Sequence, residues 1–247
     1  GGSMKVQGTY TNKGLALSAK TAAGTCLRVT RVVSGSGNTT DISGAETLPE
    51  IGSELTFGHY EQDEDLTNGQ EPIEWIVLDV DEENQKAFLL SKYCLETKVV
   101  YPERVPMYWG ASTLREWMNG EFLNAAFTAE EQEKILTTTV TNENPHGMKG
   151  AGADTEDKLY LLSHEEILHY FPEQSSRMAY ATEHAKAQGC TIGETTGACR
   201  WWLRTTGARK MDMWGVRVDG RLTAYGMQDV DWPTNTVRPV FWMDYSK

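Results

Sequence analysis

Trp201-Trp202-Leu203-Arg204 and Val237-Arg238-Pro239-Val240-Phe241-Trp242 decide how this chain folds. Both runs are short and rich in aromatic and β-branched residues, which is the composition of strands that pack against a core. Trp201, Trp202 and Trp242 are accordingly read as core. An arginine inside such a strand must find carboxylate or carbonyl partners for its five donors. Arg204 and Arg238 are therefore expected to be structural, with Asp79, Asp219 and Glu74 as unranked candidate partners.

Upstream of these runs, Leu55–Gly58, Glu74–Val80 and Lys86–Ser91 read as the strands of a small antiparallel meander. Three helix starts follow, each with a hydroxyl residue three positions before a glutamate: Thr113 with Glu116, Thr128 with Glu131, and Ser163 with Glu166. In such a capping box each side chain satisfies a backbone N–H that the helix leaves unpaired. A fourth helix is expected over Met178–Gln188, stopping at Gly189. The fold class is α+β: residues 54–245 form one domain, a twisted antiparallel sheet flanked by helices near 113–119 and 163–170. Residues 4–50 read as a separate small module. Its first part, over residues 9–24, has Ala and Leu at helical spacing, a strand follows around Leu27 and Val29, and Ser34–Thr40 is a linker.

Composition narrows the function. With 39% hydrophobic and 23% charged residues, the chain can build a sizeable core. A formal charge of -12 argues against a nucleic-acid partner, because phosphate binding needs a basic face. Gly1-Gly2-Ser3 reads as a cloning remnant before Met4. No apolar run is long enough to span a bilayer or resembles a signal peptide, so synthesis in the cytoplasm without membrane insertion is expected. Cys26, Cys94, Cys190 and Cys199 show no CxxC spacing and read as reduced thiols, with a Cys190–Cys199 disulfide as the alternative.

The catalytic and metal signals are weak. His164 and His169 in His-Glu-Glu-Ile-Leu-His lie about 140° apart on a helix, so one helical face cannot present both to zinc. His59, His146 and His184 have no ligand-like spacing. Glu61-Gln62-Asp63-Glu64-Asp65 and Glu130-Glu131-Gln132-Glu133 lack the alternating Asp/Asn pattern with a glycine turn, and read as solvated surface. No nucleophile elbow or phosphate loop is present. The expectation is a non-enzymatic protein without metal or cofactor.

The C-terminal segment differs. Five of the eight tryptophans lie in residues 201–247, where the net charge is +2 against -14 for the rest of the chain. Trp, Tyr, Met and Arg are enriched at interface hot spots. Residues 208–232 are therefore the candidate ligand-binding segment. Trp214, Tyr225 and Trp232 are the aromatic anchors, Arg209, Arg217 and Arg221 the directional donors, and Asp212, Asp229 and Asp231 balance the charge. Lys210, Met211, Met213 and Met227 complete the set.

Taken in order, Phe57-Gly58-His59-Tyr60-Glu61-Gln62, Pro72–Leu78, Thr113–Asn119, Phe122–Phe127, Lys158–Ser163, Trp201–Arg204 and Val237–Trp242 resemble a bacterial and phage family with a C-type-lectin-like fold. Within it the chain looks like the variable proteins of diversity-generating retroelements. In those, template-directed errors scramble positions between motifs like Trp-Trp-Leu-Arg and Val-Arg-Pro. Val216-Arg217-Val218-Asp219-Gly220 stands where members often carry Val-Asn-Ser-Asp-Gly. The run Gly14–Lys20 with Ala23-Gly24-Thr25, Thr30–Val33 and Gly35-Ser36-Gly37 resembles the start of phage tail-fibre proteins. The resemblance implies a prophage tail adhesin of the virion. It would bind a bacterial surface protein or glycan and form a homo-oligomer, a trimer, through its N-terminal module. A cytoplasmic interaction module is the runner-up. The formylglycine-generating oxidases share the fold superfamily and are the enzyme alternative, but their copper-binding cysteine pair is not matched by Cys190 and Cys199. The calcium-binding sugar motifs of animal lectins are absent.

Overall fold

The computed structural model describes residues 18–20, 26–28, 48–224 and 229–247. The chain divides into two units, Gly1–Glu46 and Thr47–Lys247. In the first, β1 (Ser18–Lys20) pairs antiparallel with β2 (Cys26–Arg28), with Ala19 in register with Leu27. The helix expected over residues 9–24 is thus a strand at 18–20. The five intervening residues include Gly24 and have the length of a hairpin connection, and pairing satisfies both backbones where a short isolated helix would be marginal. The rest of that helix, and the linker at 34–40, lie outside the described residues.

In the second unit β3 (Glu54–Tyr60), β4 (Glu71–Asp81) and β5 (Lys86–Ser91) form the expected meander. Gly58 sits at an irregularity of β3 with φ +71°, and a Cβ there would lie 2.6 Å from the Phe127 ring. Only glycine combines that conformation with that close approach. Strand β6 (Glu96–Thr97) follows. Then comes a helical run of α1 (Thr113–Trp117), a π turn over Met118–Phe122, and α2 (Leu123–Ala126). The cap of α1 is Ser112, whose hydroxyl accepts from Arg115 N–H, one residue before the expected Thr113. Thr113 instead donates to the Val100 carbonyl. The other two boxes form as expected, Thr128 with Glu131 on α3 (Ala129–Lys134) and Ser163 with Glu166 on α4 (His164–Tyr170). Between α3 and α4 lies the hairpin of β7 (Thr138–Val140) and β8 (Thr155–Asp157).

The fourth helix is shorter than expected. Only α5 (Glu183–Ala187) is helical, capped by Thr182, while Ala179 and Ala181 bridge in extended form to Cys199 and Cys94. Pairing within the core overrides the helical preference of this alanine-rich stretch. The C-terminal strands are β9 (Trp201–Thr206), β10 (Met213–Val216), β11 (Leu222–Thr223), β12 (Thr236–Val237) and β13 (Val240–Asp244).

These strands build two larger sheets where one was expected. One is antiparallel, in the order β13-β5-β4-β3. The other is mixed, β11-β10-β9-β12-β6, with β12 parallel to β9. Pro239 lies between β12 and β13, so the Val237–Trp242 run serves both sheets: Val237 pairs with Glu96 and Trp242 with Phe88. The architecture is α+β. Trp75 anchors the core, its ring edge-on to Phe241 at 4.7 Å and its Nε1 donating to the Phe57 carbonyl at 2.7 Å. Trp201 and Trp202 are fully buried, as expected. Trp242 is only half-buried, stacked on Phe88 at 5.1 Å under the Lys86 ammonium. Among the described residues no helix is long and apolar enough to cross a membrane.

Candidate functional site

The two strand arginines anchor the C-terminal segment. Arg204 is buried and forks onto the Glu166 carboxylate while also donating to the Leu161 carbonyl at 2.8 Å. Its partner is thus the glutamate of the Ser163 capping box, not Asp79, Asp219 or Glu74. The box turns the Glu166 carboxyl back toward the start of α4, beside β9. Arg238 is also buried; it donates to the Ser91 and Lys92 carbonyls and lies over the Trp201 ring at 5.1 Å. Burial beside so few acceptors lowers its pKa.

From this base, residues 207–224 leave and return. Gly207 N–H donates to the Asp212 carbonyl and Ala208 N–H to that of Ala224, closing a loop over residues 208–212. Arg209, itself exposed, pins this loop. Its Nε and Nη2 meet both oxygens of Asp212 at 2.7 and 2.8 Å, and Nη2 reaches Asp229 at 2.9 Å. Arg104 adds a second guanidinium on Asp229 at 3.0 Å. Desolvation first, and the adjacent Asp212 carboxylate second, raise the pKa of Asp229. Arg209, Asp212 and Asp229, expected to meet a ligand, are therefore a clasp within the chain. Asp212 is fully buried and so is Met213, which belongs to the core. Both leave the exposed candidates: Asp212 is buried under the Arg209 fork, and the alternation of β10 points Met213 inward and Trp214 outward.

Trp214 is half-buried and its indole lies against the His164 imidazole, centroids 4.1 Å apart. The two rings form part of a cavity of about 400 Å³, lined also by Glu143, Pro145, His146, Thr206, Ala208 and Ala224. His146 Nε2 is 2.7 Å from the Gly207 carbonyl and donates to it. Few polar groups among apolar walls is the make-up of small-ligand sites. By sequence His146 and His164 read as structural or surface positions without ligand-like spacing. Each approaches from a segment far away along the chain, and no local spacing signals that.

The remaining candidates lie elsewhere. Arg217 and Arg221 flank Asp219, at 3.9 and 3.4 Å, on the turn after β10. Gly220 forms that turn with φ +80°, and a Cβ on it would strike the Gln174 carbonyl at 2.0 Å. Lys210 is exposed, and Met211 and Asp231 are half-buried. Trp232 is half-buried with Nε1 on Thr234 Oγ1 at 3.0 Å. Tyr225 and Met227 lie outside the described residues. The candidate set thus separates into an internal clasp, a cavity wall and an exposed turn. Cys94, Cys190 and Cys199 are free thiols, so the alternative Cys190–Cys199 disulfide is not formed. Cys94 and Cys199 are in hydrogen-bonding reach of each other, and both are fully buried.

Residues 84–245 match the family described as a domain of unknown function, DUF6273, and the chain belongs to that family. No curated protein and no solved structure matches the chain.

Proposed function

We propose that this chain is a non-enzymatic ligand-binding protein with a C-type-lectin-like fold, and that its ligand engages the Trp214 cavity and the exposed parts of residues 208–232. The observation that carries this reading is the cavity itself. It sits on the segment between the Trp-Trp-Leu-Arg and Val-Arg-Pro strands, and its lining offers an aromatic platform, two imidazoles, the Glu143 carboxylate and the hydroxyls of Thr205 and Thr206, with no Ser, Cys or Lys among the described residues. The pinned ends of the segment support a variable protein of the retroelement type: Trp201, Trp202, Arg204 and Arg238, which flank it, are buried, while Lys210 and Arg221 between them are exposed. A tail adhesin directed at a bacterial surface protein or glycan is the biological setting that fits, with the N-terminal module as its oligomerisation or docking element. Display in several copies would strengthen a single weak site through effective concentration.

Nothing in the site favours the oxidase alternative, since the neighbouring thiols Cys94 and Cys199 are both fully buried. The test is a glycan-array and bacterial-cell binding screen with the intact chain, followed by Trp214→Ala on each hit. Truncating a hot-spot aromatic should weaken binding by about 30-fold or more, corresponding to about 2 kcal/mol. Hits that bind Trp214→Ala and Arg221→Ala as tightly as the parent would remove the assignment.

A further inference from the structure

The acidic run after β3, read from sequence as solvated loop, is folded back on itself. Tyr60 and Glu71 are in register at the ends of β3 and β4, which brings Glu61 and Glu71 together at the mouth of the connecting loop. Asp63 joins them, so that one carboxylate oxygen of each residue lies within 4.8 Å of the others. Glu61 is only 8% exposed, and its Oε1 is buried with no hydrogen-bond donor.

The donors that could have served that oxygen are committed elsewhere. Gln62 N–H goes to Glu71 Oε2 at 2.7 Å, and Asp65 N–H and Asn68 Nδ2 go to Asp63, both at 2.8 Å. Nearby His184 holds Glu64 at 2.6 Å, and the Tyr60 hydroxyl donates to Glu96 at 2.5 Å. None of the ion pairs among the described residues reaches Glu61, Asp63 or Glu71. A carboxylate withdrawn from water next to two others, with no donor or cation, is unfavourable unless a positive charge joins it or a proton is shared within the cluster, and calcium binding distinguishes the two.

We propose that Glu61, Asp63 and Glu71 form a binding site for a hard divalent cation, Ca²⁺, at the β3–β4 loop. An all-oxygen donor set selects calcium or magnesium over the softer metals. Calcium suits it better. Its ligands stand about 2.3–2.6 Å from the ion, so oxygens up to about 5 Å apart share one Ca²⁺ in flexible geometry, whereas Mg²⁺ demands a tighter octahedron and keeps most of its waters. The ion would also fix the loop on the body of the domain, because the Gln62 carbonyl accepts the His184 N–H of α5 at 3.1 Å.

The test uses the intact chain freed of metal with a chelator. Titration with CaCl₂, followed by calorimetry and thermal melting, is expected to show one site and a rise in Tm of about 5 °C at saturation. Glu61→Gln and Asp63→Asn should each abolish both responses. Glu82→Gln, in the exposed β4–β5 turn, should keep them. Asp63 is exposed, so its variant reports even where the buried Glu61→Gln fails to fold. Absence of heat and of a Tm shift in the parent chain, a response to MgCl₂ alone, or a calcium response retained by Asp63→Asn would each overturn the site.

Discussion

Trp214 on β10 and His164 at the first turn of α4 stack with ring centroids 4.1 Å apart and planes at 39°. The contact joins the mixed sheet to the helix that also supplies Glu166 to Arg204. A contact of this kind contributes about 0.5–1.5 kcal/mol beyond its buried area. His164→Ala is thus expected to lower stability by about 1 kcal/mol in urea unfolding while loosening the indole. Binding of any ligand found for Trp214 should then weaken without being abolished. Unaltered binding by His164→Ala would separate the histidine from the site.

Much of this fold is legible in the sequence because it is written locally. The meander strands alternate with period two, and Thr128/Glu131 and Ser163/Glu166 carry their helix starts within four residues. The failures are non-local. Met178–Ala181 was drawn from a helix into extended bridges with Cys94 and Cys199, which no window of neighbouring residues reveals. In the candidate site, composition found Trp214 but could not separate it from Met213, one position away and on the other face of the strand. It also took Arg209 and Asp212 for ligand contacts, since an internal ion pair and a binding pair have the same residue types.

Arg204 should be indispensable for folding. Replacing it with alanine leaves the part-buried Glu166 carboxylate without its cation and the Leu161 carbonyl without a donor, a change that typically costs about 3–5 kcal/mol. Arg204→Lys keeps the charge but not the fork, and should fall in between. Denaturant midpoints read both. An alanine variant as stable as the parent would contradict the structural role.

Alkaline pH should destabilise the protein in part through Cys190. Burial first, and the neighbouring Cys199 second, push its thiol up to about 11 from an ordinary value of 9.0. The folded state therefore holds the proton more tightly than the unfolded chain. Its contribution is fully present below about pH 9 and is lost as pH rises toward 11. Urea melts at pH 8 and pH 10.5 should show a smaller alkaline loss for Cys190→Ala than for the parent. Tyr60 and Tyr160, raised chiefly by burial from an ordinary value of 10.0, add losses of the same sign that set in above about pH 10. An identical alkaline loss in the parent and Cys190→Ala would show that this thiol is not responsible.

A surface that tolerates variation must rest on residues that do not, and residues 209–221 hold both kinds side by side. Met213 is fully buried in the core, so Met213→Ala should cost about 2–5 kcal/mol through lost transfer energy and the cavity left behind. Asp212→Ala removes the bidentate partner of Arg209 and empties a fully buried position, so a loss of stability is expected even though repulsion of the Asp229 carboxylate is relieved. Lys210→Ala and Arg221→Ala stand at exposed positions and should each change stability by less than about 0.5 kcal/mol. Denaturant melts of these four variants, set beside their binding to whatever the screen identifies, divide the segment into framework and recognition. The expected pattern is inverse: the first pair loses stability, and the second loses affinity at constant stability. Uniform destabilisation across all four would mean that the whole segment is packing, and the recognition role of residues 208–232 would have to be abandoned.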